Sequence, residues 1–270
     1  MIVIVRLVLT LAVIYGLVLL AVYWGQRSLQ YFPTADLGDP KLPEALKFQS
    51  LKIKTADGLE NLAWYAPPAD TTGKVIVYFH GNGGNISHRL PRAAIYLKRG
   101  YGVMLCEYRG YGGNRGKPTE KGLYDDARAC VRYLADQGIS TAQLILYGES
   151  IGSGVAVEMA REFQPPRLVL EAPFSSAADV AKIAYPFLPV DMLMQDRFDS
   201  IDKIKDVKSA LLIVHGTVDG IVPYRLGQKL FEAANHPKEF VSVEGAGHSD
   251  LYDYKIGEKV LDWLGRETVE

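Results

Sequence analysis

Cysteine is nearly missing: the 270 residues hold only Cys106 and Cys130. They form no C-x-x-C pair, which excludes a disulfide-stapled scaffold and a cysteine metal site. Cys106 lies in the apolar run Val103-Met104-Leu105-Cys106 and reads as a buried small hydrophobe. An excess of one charge is missing too. Thirty Lys and Arg against 31 Asp and Glu leave a net charge of -1. No basic footprint exists for a phosphate backbone, so nucleic acid is excluded as a partner. There are five histidines, none paired at metal-ligand spacing, and neither a metal nor an organic cofactor is expected. Internal repeats and low-complexity tracts are absent. The length fits one large α/β domain with a substantial core and leaves little room for a second.

What is present begins with a long hydrophobic run. From Ile2 to Trp24 only Arg6 and Thr10 are clearly polar, and about 20 apolar residues suffice to span the hydrocarbon core of a bilayer. Tyr23 and Trp24 close the run, where amphipathic rings settle at headgroup level. A cleaved secretory signal is the main rival, but the run ends in bulky rings rather than a small-x-small cleavage site. Residues 1–27 are therefore expected to be a single-pass transmembrane anchor, with its orientation open because the flanking positive charges are nearly tied. Residues 28–47, with Pro33, Gly38, Pro40 and Pro43, read as a linker.

Residues 48–270 alternate in a way that defines an architecture. Phe48 to Thr55 and Glu60 to Tyr65 flank the turn signal Asp57-Gly58 and read as an antiparallel pair. Short apolar runs then alternate with helical stretches: Val75 to Phe79, Val103 to Tyr108, Leu144 to Tyr147, Leu168 to Leu170, Leu211 to Val214 and Phe240 to Val243. Continuous apolar strands separated by helices imply a mostly parallel, eight-stranded sheet covered on both faces, with a short cap. Active sites of such sheets collect at the carboxyl ends of the strands.

There the unusual residues fall. Gly148-Glu149-Ser150-Ile151-Gly152 follows an apolar strand and opens a helix, a match to G-x-S-x-G. Small neighbours let the serine sit on a tight strand-to-helix turn, with the helix N-terminus facing developing negative charge. Asp219 lies on the loop after Val214, and His248 on the loop after Val243. The order Ser, acid, His then assigns Ser150 as nucleophile, His248 as base and Asp219 as the acid that orients it. Taken singly, His248 could be an idle loop histidine and Asp219 a turn former; their order and placement favour the triad.

The glycine-rich loop Phe79-His80-Gly81-Asn82-Gly83-Gly84-Asn85 follows another strand and suits an oxyanion hole. One donor is the backbone N–H of Ile151, the second that of Asn82 or Gly83. A phosphate-cradling loop is the rival, but the Lys-Ser/Thr ending and the G-x-G-x-x-G spacing are both absent. His80 and His215 read as structural; His88 and His236 read as solvated. Arg109, in Tyr108-Arg109-Gly110-Tyr111-Gly112, could recognise an anionic substrate group but is expected instead to pin its loop to carbonyls, and Glu149 to form part of the elbow.

These strings, together with Glu171-Ala172-Pro173-Phe174, Tyr185-Pro186-Phe187-Leu188-Pro189-Val190 and His215-Gly216-Thr217-Val218-Asp219, resemble one branch of the α/β hydrolases. That branch includes the fungal bud-emergence-related hydrolases, bacterial esterase-like and peptidase-like relatives, and animal protein depalmitoylases. The likeness runs from about Phe32 to the C-terminus and implies an α/β-hydrolase fold with serine hydrolase chemistry. Ala210 stands where relatives often carry proline. The cysteine-rich N-terminal tail of the depalmitoylases is absent, which argues against that particular activity.

The stretch from Glu171 to Leu211 is the one excursion large enough for a cap. Its middle, Ile183 to Met194, is apolar. Tyr185, Phe187 and Leu188, with Gly83, are candidate substrate contacts for a small-molecule or lipid-like acyl group; the plainer reading is that they only cover the sheet. Hydrolysis of carboxylic esters or thioesters through an acyl-enzyme at Ser150 is the expected activity. The alternatives are a serine peptidase or aminopeptidase of the same fold, and a non-catalytic membrane scaffold.

Overall fold

The computed structural model describes residues 1–37 and 46–266. The eight strands expected from the apolar runs are β1 (Gln49–Lys54), β2 (Glu60–Ala66), β3 (Val75–Phe79), β4 (Gly102–Cys106), β5 (Leu144–Glu149), β6 (Arg167–Glu171), β7 (Ala210–Gly216) and β8 (Lys238–Val243). They form one sheet in the order β8-β7-β6-β5-β3-β4-β2-β1. Only β2 runs antiparallel to its neighbours. The remaining pairings are parallel, with β3 at the centre, where Val77 stands opposite Met104 on β4 and Leu146 on β5.

Alternation along β3 divides the core between the two faces. Val75, Val77 and Phe79 pack with Leu146 and the inner faces of α3 (Glu120–Asp136) and α4 (Ile151–Phe163). Ile76 and Tyr78 face the other way, with Ile145, Tyr147, Tyr96 of α2 (Leu90–Leu97) and Val260 of the C-terminal helix Ile256–Gly265. Both faces of the central strands are thus dry, which is why they read as unbroken apolar runs.

The first helix, α1, spans Ile2–Gln30 with none of its residues buried. It is long and apolar enough to cross a membrane. It ends three residues past the expected boundary at position 27, because its last turn is docked. Gln30 Nε2 donates to Asp196 O at 2.9 Å, and Arg27 Nε donates to Asp196 Oδ2 at 2.8 Å. Nor does the chain leave the domain after the helix. Tyr31 is buried, and Phe32–Pro33 pairs in parallel with Gly83–Gly84 of the glycine-rich loop. Gly38, Pro40 and Pro43 of the expected linker lie outside the described residues.

Between β6 and β7 the cap carries three short helices, Ala177–Ala184, Val190–Leu193 and Ser200–Lys203. It leaves the carboxyl edge of the sheet, the edge from which the Ser150, Asp219 and His248 loops also leave.

Candidate active site

Ser150 caps the amino end of α4 with φ 52° and ψ -119°. That conformation costs a non-glycine residue about 1–3 kcal/mol, and the surroundings must hold it in place. They do so by close approach. A Cβ on Gly152 would collide with the carbonyl oxygens of Phe79 and His80, and one on Gly148 with the Gly152 carbonyl. The glycines on either side of the serine are therefore what lets α4 begin against the end of β3. The Ser150 N–H donates to Glu171 O at 2.9 Å, tying the turn to the neighbouring strand.

Three residues from three loops converge. His248 Nε2 lies 2.9 Å from Ser150 Oγ, and His248 Nδ1 lies 2.7 Å from Asp219 Oδ2. The Asp219 carboxylate is buried, and its other oxygen accepts from the Ile221 and Val222 N–H groups at 2.9 and 2.8 Å. Burial would raise its pKa, but hydrogen bonds from His215 and His248 outweigh that and hold it well below the usual carboxylate range. A carboxylate that stays ionised keeps the proton on Nδ1 of His248, leaving Nε2 free to accept from the serine hydroxyl. The arrangement can deprotonate Ser150 as it attacks a carbonyl and return the proton to the leaving group.

His215, expected to be structural, is fully buried with Nε2 3.0 Å from Val222 O and 3.4 Å from Asp219 Oδ2. A carbonyl only accepts, so that nitrogen carries the proton and its N–H also points at the triad carboxylate. Sequence position marks His215 only as the residue after a strand. Its contact with Asp219, four residues on, follows from the turn between them.

The glycine-rich loop lies beside the serine: a Cβ on Gly81 would stand 3.4 Å from Ser150 Cβ. The Ile151 N–H belongs to the first turn of α4, whose donors have no acceptor within the helix. The Asn82 side chain is a clamp. Its Nδ2 donates to Gln30 O at 2.5 Å, while its Oδ1 accepts from Phe32 N at 3.1 Å and from Tyr111 Oη at 2.7 Å. The loop is thus fastened to the exit of α1. His80, as expected, holds the loop from inside, with Nδ1 2.7 Å from Gly81 O and Nε2 2.7 Å from Glu107 Oε1.

Glu149, next to Ser150, is gripped by two arginines. Arg89 binds it through Nη2 at 2.7 Å and Nε at 3.1 Å, Arg92 approaches to 3.0 Å, and Tyr78 Oη donates at 2.8 Å. Burial would raise its pKa, but Arg89 and then Arg92 overcome this and hold it at about 2. Arg89 also donates to Gly83 O at 2.8 Å, joining the elbow to the glycine-rich loop. Burial pushes the neighbouring Glu171 the other way, upward. Arg109 corrects an expectation: it pins its loop to the carboxylates of Asp126 and Asp57, both at 2.7 Å, rather than to carbonyls.

None of the four candidate substrate contacts hydrogen-bonds to Ser150, His248 or Asp219. Gly83 is engaged with Phe32 and Arg89. Tyr185 and Phe187 are exposed and meet each other edge to face at 6.4 Å. The Phe187 carbonyl accepts from Tyr15 of α1 at 2.8 Å, and Leu188 is half-buried. This part of the cap follows the N-terminal helix.

A parallel sheet of this order with a serine elbow, an aspartate and a histidine on successive carboxyl-end loops defines an α/β hydrolase. Comparison with known proteins agrees. Residues 70–195 match the family model described as serine aminopeptidase, S33. An uncharacterized protein of Mycobacterium tuberculosis is 37% identical over 94% of this chain and 90% of its own length. Human α/β hydrolase domain-containing protein 17B is 33% identical over 72% of this chain and 67% of its own. Among solved structures, the Pyrococcus furiosus esterase Pf2001 superposes with a TM-score of 0.69 at 22% identity, over 86% of this chain and 97% of that one. A puromycin-hydrolyzing peptidase from M. tuberculosis gives 0.63 at 20% identity, over 77% and 37%. At those identities the two structures support the fold alone. The chain belongs to the α/β-hydrolase family, in the branch of the hydrolase domain-containing proteins, and it is a hydrolase.

Proposed function

We propose that the protein is a membrane-anchored serine hydrolase that cleaves carboxylic esters or thioesters, with an acyl-enzyme on Ser150. The observation that carries this reading is the unbroken relay from Ser150 Oγ through His248 to Asp219, at 2.9 and 2.7 Å. His248 takes the serine proton as Oγ attacks the acyl carbonyl; the Ile151 and Asn82 N–H groups receive the oxyanion. The proton returns to the departing alcohol or thiol, and a water activated by His248 then releases the acid. No cofactor enters these steps. The α1 helix supplies the membrane anchor in this reading, residues 28–47 link it to the 48–270 catalytic domain, and acyl groups are the substrates.

The aminopeptidase alternative draws on the description of the matching family model. It calls for an acidic subsite to receive a substrate amine. Glu149, the carboxylate beside the nucleophile, is already neutralised by Arg89 and Arg92, which favours the ester reading. Purified full-length protein in detergent, offered p-nitrophenyl esters, acyl thioesters and aminoacyl naphthylamides, is expected to turn over the first two classes. Release of naphthylamine without ester cleavage would move the assignment to a peptidase.

A further inference from the structure

The cap segment 183–194 presents large apolar side chains outward: Ile183, Tyr185, Phe187 and Met192 are 38%, 44%, 64% and 84% exposed. Its backbone is fastened along α1. The Leu193 carbonyl accepts from Gln26 at 3.0 Å and the Gln195 N–H donates to the same side chain at 2.8 Å. Further toward the helix amino end, the Phe187 carbonyl meets Tyr15 at 2.8 Å. Tyr15 stands eight residues before Tyr23 of the Tyr23-Trp24 belt, about 12 Å along the helix. If the belt marks the headgroup level, Phe187 lies on the hydrocarbon side of it.

The backbone of this segment is built for that depth. Pro186 and Pro189 have no N–H, and the N–H groups of Leu188, Val190, Met192, Leu193 and Met194 donate to Tyr185, Leu188, Pro189, Pro189 and Val190. Most N–H groups of the segment are thus satisfied internally, those of Phe187 and Asp191 excepted, which lowers the cost of entering a region without water. An apolar groove of about 520 Å³, lined by Val13, Gly16, Leu17, Leu20 and Tyr23 of α1 with Leu193 of the cap, continues the same surface. The exposed carboxylate here, Asp191, is paired with Lys182 at 2.8 Å and Arg197 at 3.2 Å, an arrangement suited to the headgroup layer.

We propose that segment 183–194 is a second membrane-binding element, which enters the leaflet next to the catalytic domain beside α1 and is covered there by lipid. The proposal rests on reading α1 as an anchor. The Asn82 clamp places the glycine-rich loop against Gln30 and Phe32, directly past the helix. The Ser150 mouth is thereby held at the bilayer surface, within reach of acyl groups whose chains remain in the leaflet.

The test uses full-length protein in phosphatidylcholine vesicles carrying one nitroxide-labelled cysteine; the native Cys106 and Cys130 are buried and leave the label to the introduced site. Phe187→Cys and Met192→Cys are expected to collide with dissolved oxygen and to be shielded from a water-soluble nickel chelate, as Leu17→Cys on α1 should be. Lys121→Cys, on an exposed face of α3, should show the reverse. Cap positions that read as aqueous while Leu17→Cys reads as lipid overturn the proposal and leave the anchor standing. An aqueous Leu17→Cys overturns the anchor and the proposal together. The variant Ile183→Ser/Met192→Ser adds an independent readout. Turnover of a long-chain ester embedded in vesicles is expected to fall about tenfold while that of a soluble short-chain ester is unchanged, and equal loss on both contradicts the proposal.

Discussion

The loops around Ser150 and cap segment 183–194 leave the same edge of the same sheet, yet they are held in opposite ways. The first region is fixed from below by charge. Glu149 sits between Arg89 and Arg92, Asp219 receives two backbone N–H groups and faces two histidines, and Asn82 makes three hydrogen bonds. The second region exposes its apolar side chains and is fastened mainly through its backbone to α1. On the proposed reading the difference separates two tasks: the pre-organised region positions reacting atoms, and the apolar region meets the lipid from which acyl substrates arrive. Polar networks of the first kind tolerate little change because every lost partner strands a buried group.

Perturbations of the first region should therefore dominate. Ser150→Ala is expected to lower kcat on a p-nitrophenyl ester by about 10⁶-fold with the melting temperature nearly unchanged, as seen when a triad nucleophile is removed. Asp219→Asn should cost about 10⁴-fold, because the amide no longer fixes the His248 tautomer. A loss confined to tenfold in steady-state assays would show that the relay does not carry catalysis. Glu149→Gln should act on stability instead. It leaves two arginines facing a neutral amide, costing about 3 kcal/mol, or about 6–12 °C in a differential scanning calorimetry trace.

The Glu149 effect should also depend on pH. Its folded pKa is depressed from the ordinary 4.5 to about 2, so its contribution is present above the unfolded value and is lost as pH falls toward the folded one. The stability gap between native protein and Glu149→Gln, followed by urea unfolding in detergent, is expected to narrow from pH 6 to pH 3. A gap that widened would mean that the carboxylate is not the ionised partner of Arg89 and Arg92. The smallest effect on chemistry belongs to the cap: Met192→Ser should leave soluble-ester kcat within about twofold, since its side chain is 84% exposed and packs little in either state.

The parts of this account that are legible in the sequence are those with a local signature. Apolar runs mark the strands because the central ones are buried on both faces, and the elbow glycines mark Ser150 because a tight turn needs them. Order along the chain then points to Asp219 and His248. What escapes is long-range. Nothing near Glu149 announces Arg89, sixty residues away, or tells that Asn82 binds the carbonyl of Gln30 at the end of a hydrophobic helix. Arg109 is visible as an anchoring residue, but its partners, Asp57 and Asp126, are brought to it by β-hairpin and helix packing rather than by spacing. The apolar cap residues are visible as apolar; that they follow α1 depends on contacts such as Tyr15 with Phe187 that no pattern records.

The most direct measurement is covalent labelling of the membrane fraction with a fluorophosphonate, followed by mass spectrometry of the labelled peptide. An activated serine in the Ser150–His248–Asp219 relay predicts a single adduct on Ser150, absent from Ser150→Ala and reduced to background in His248→Ala. A folded, accessible protein that stays unlabelled, or an adduct on another residue, would contradict the assignment of a serine hydrolase.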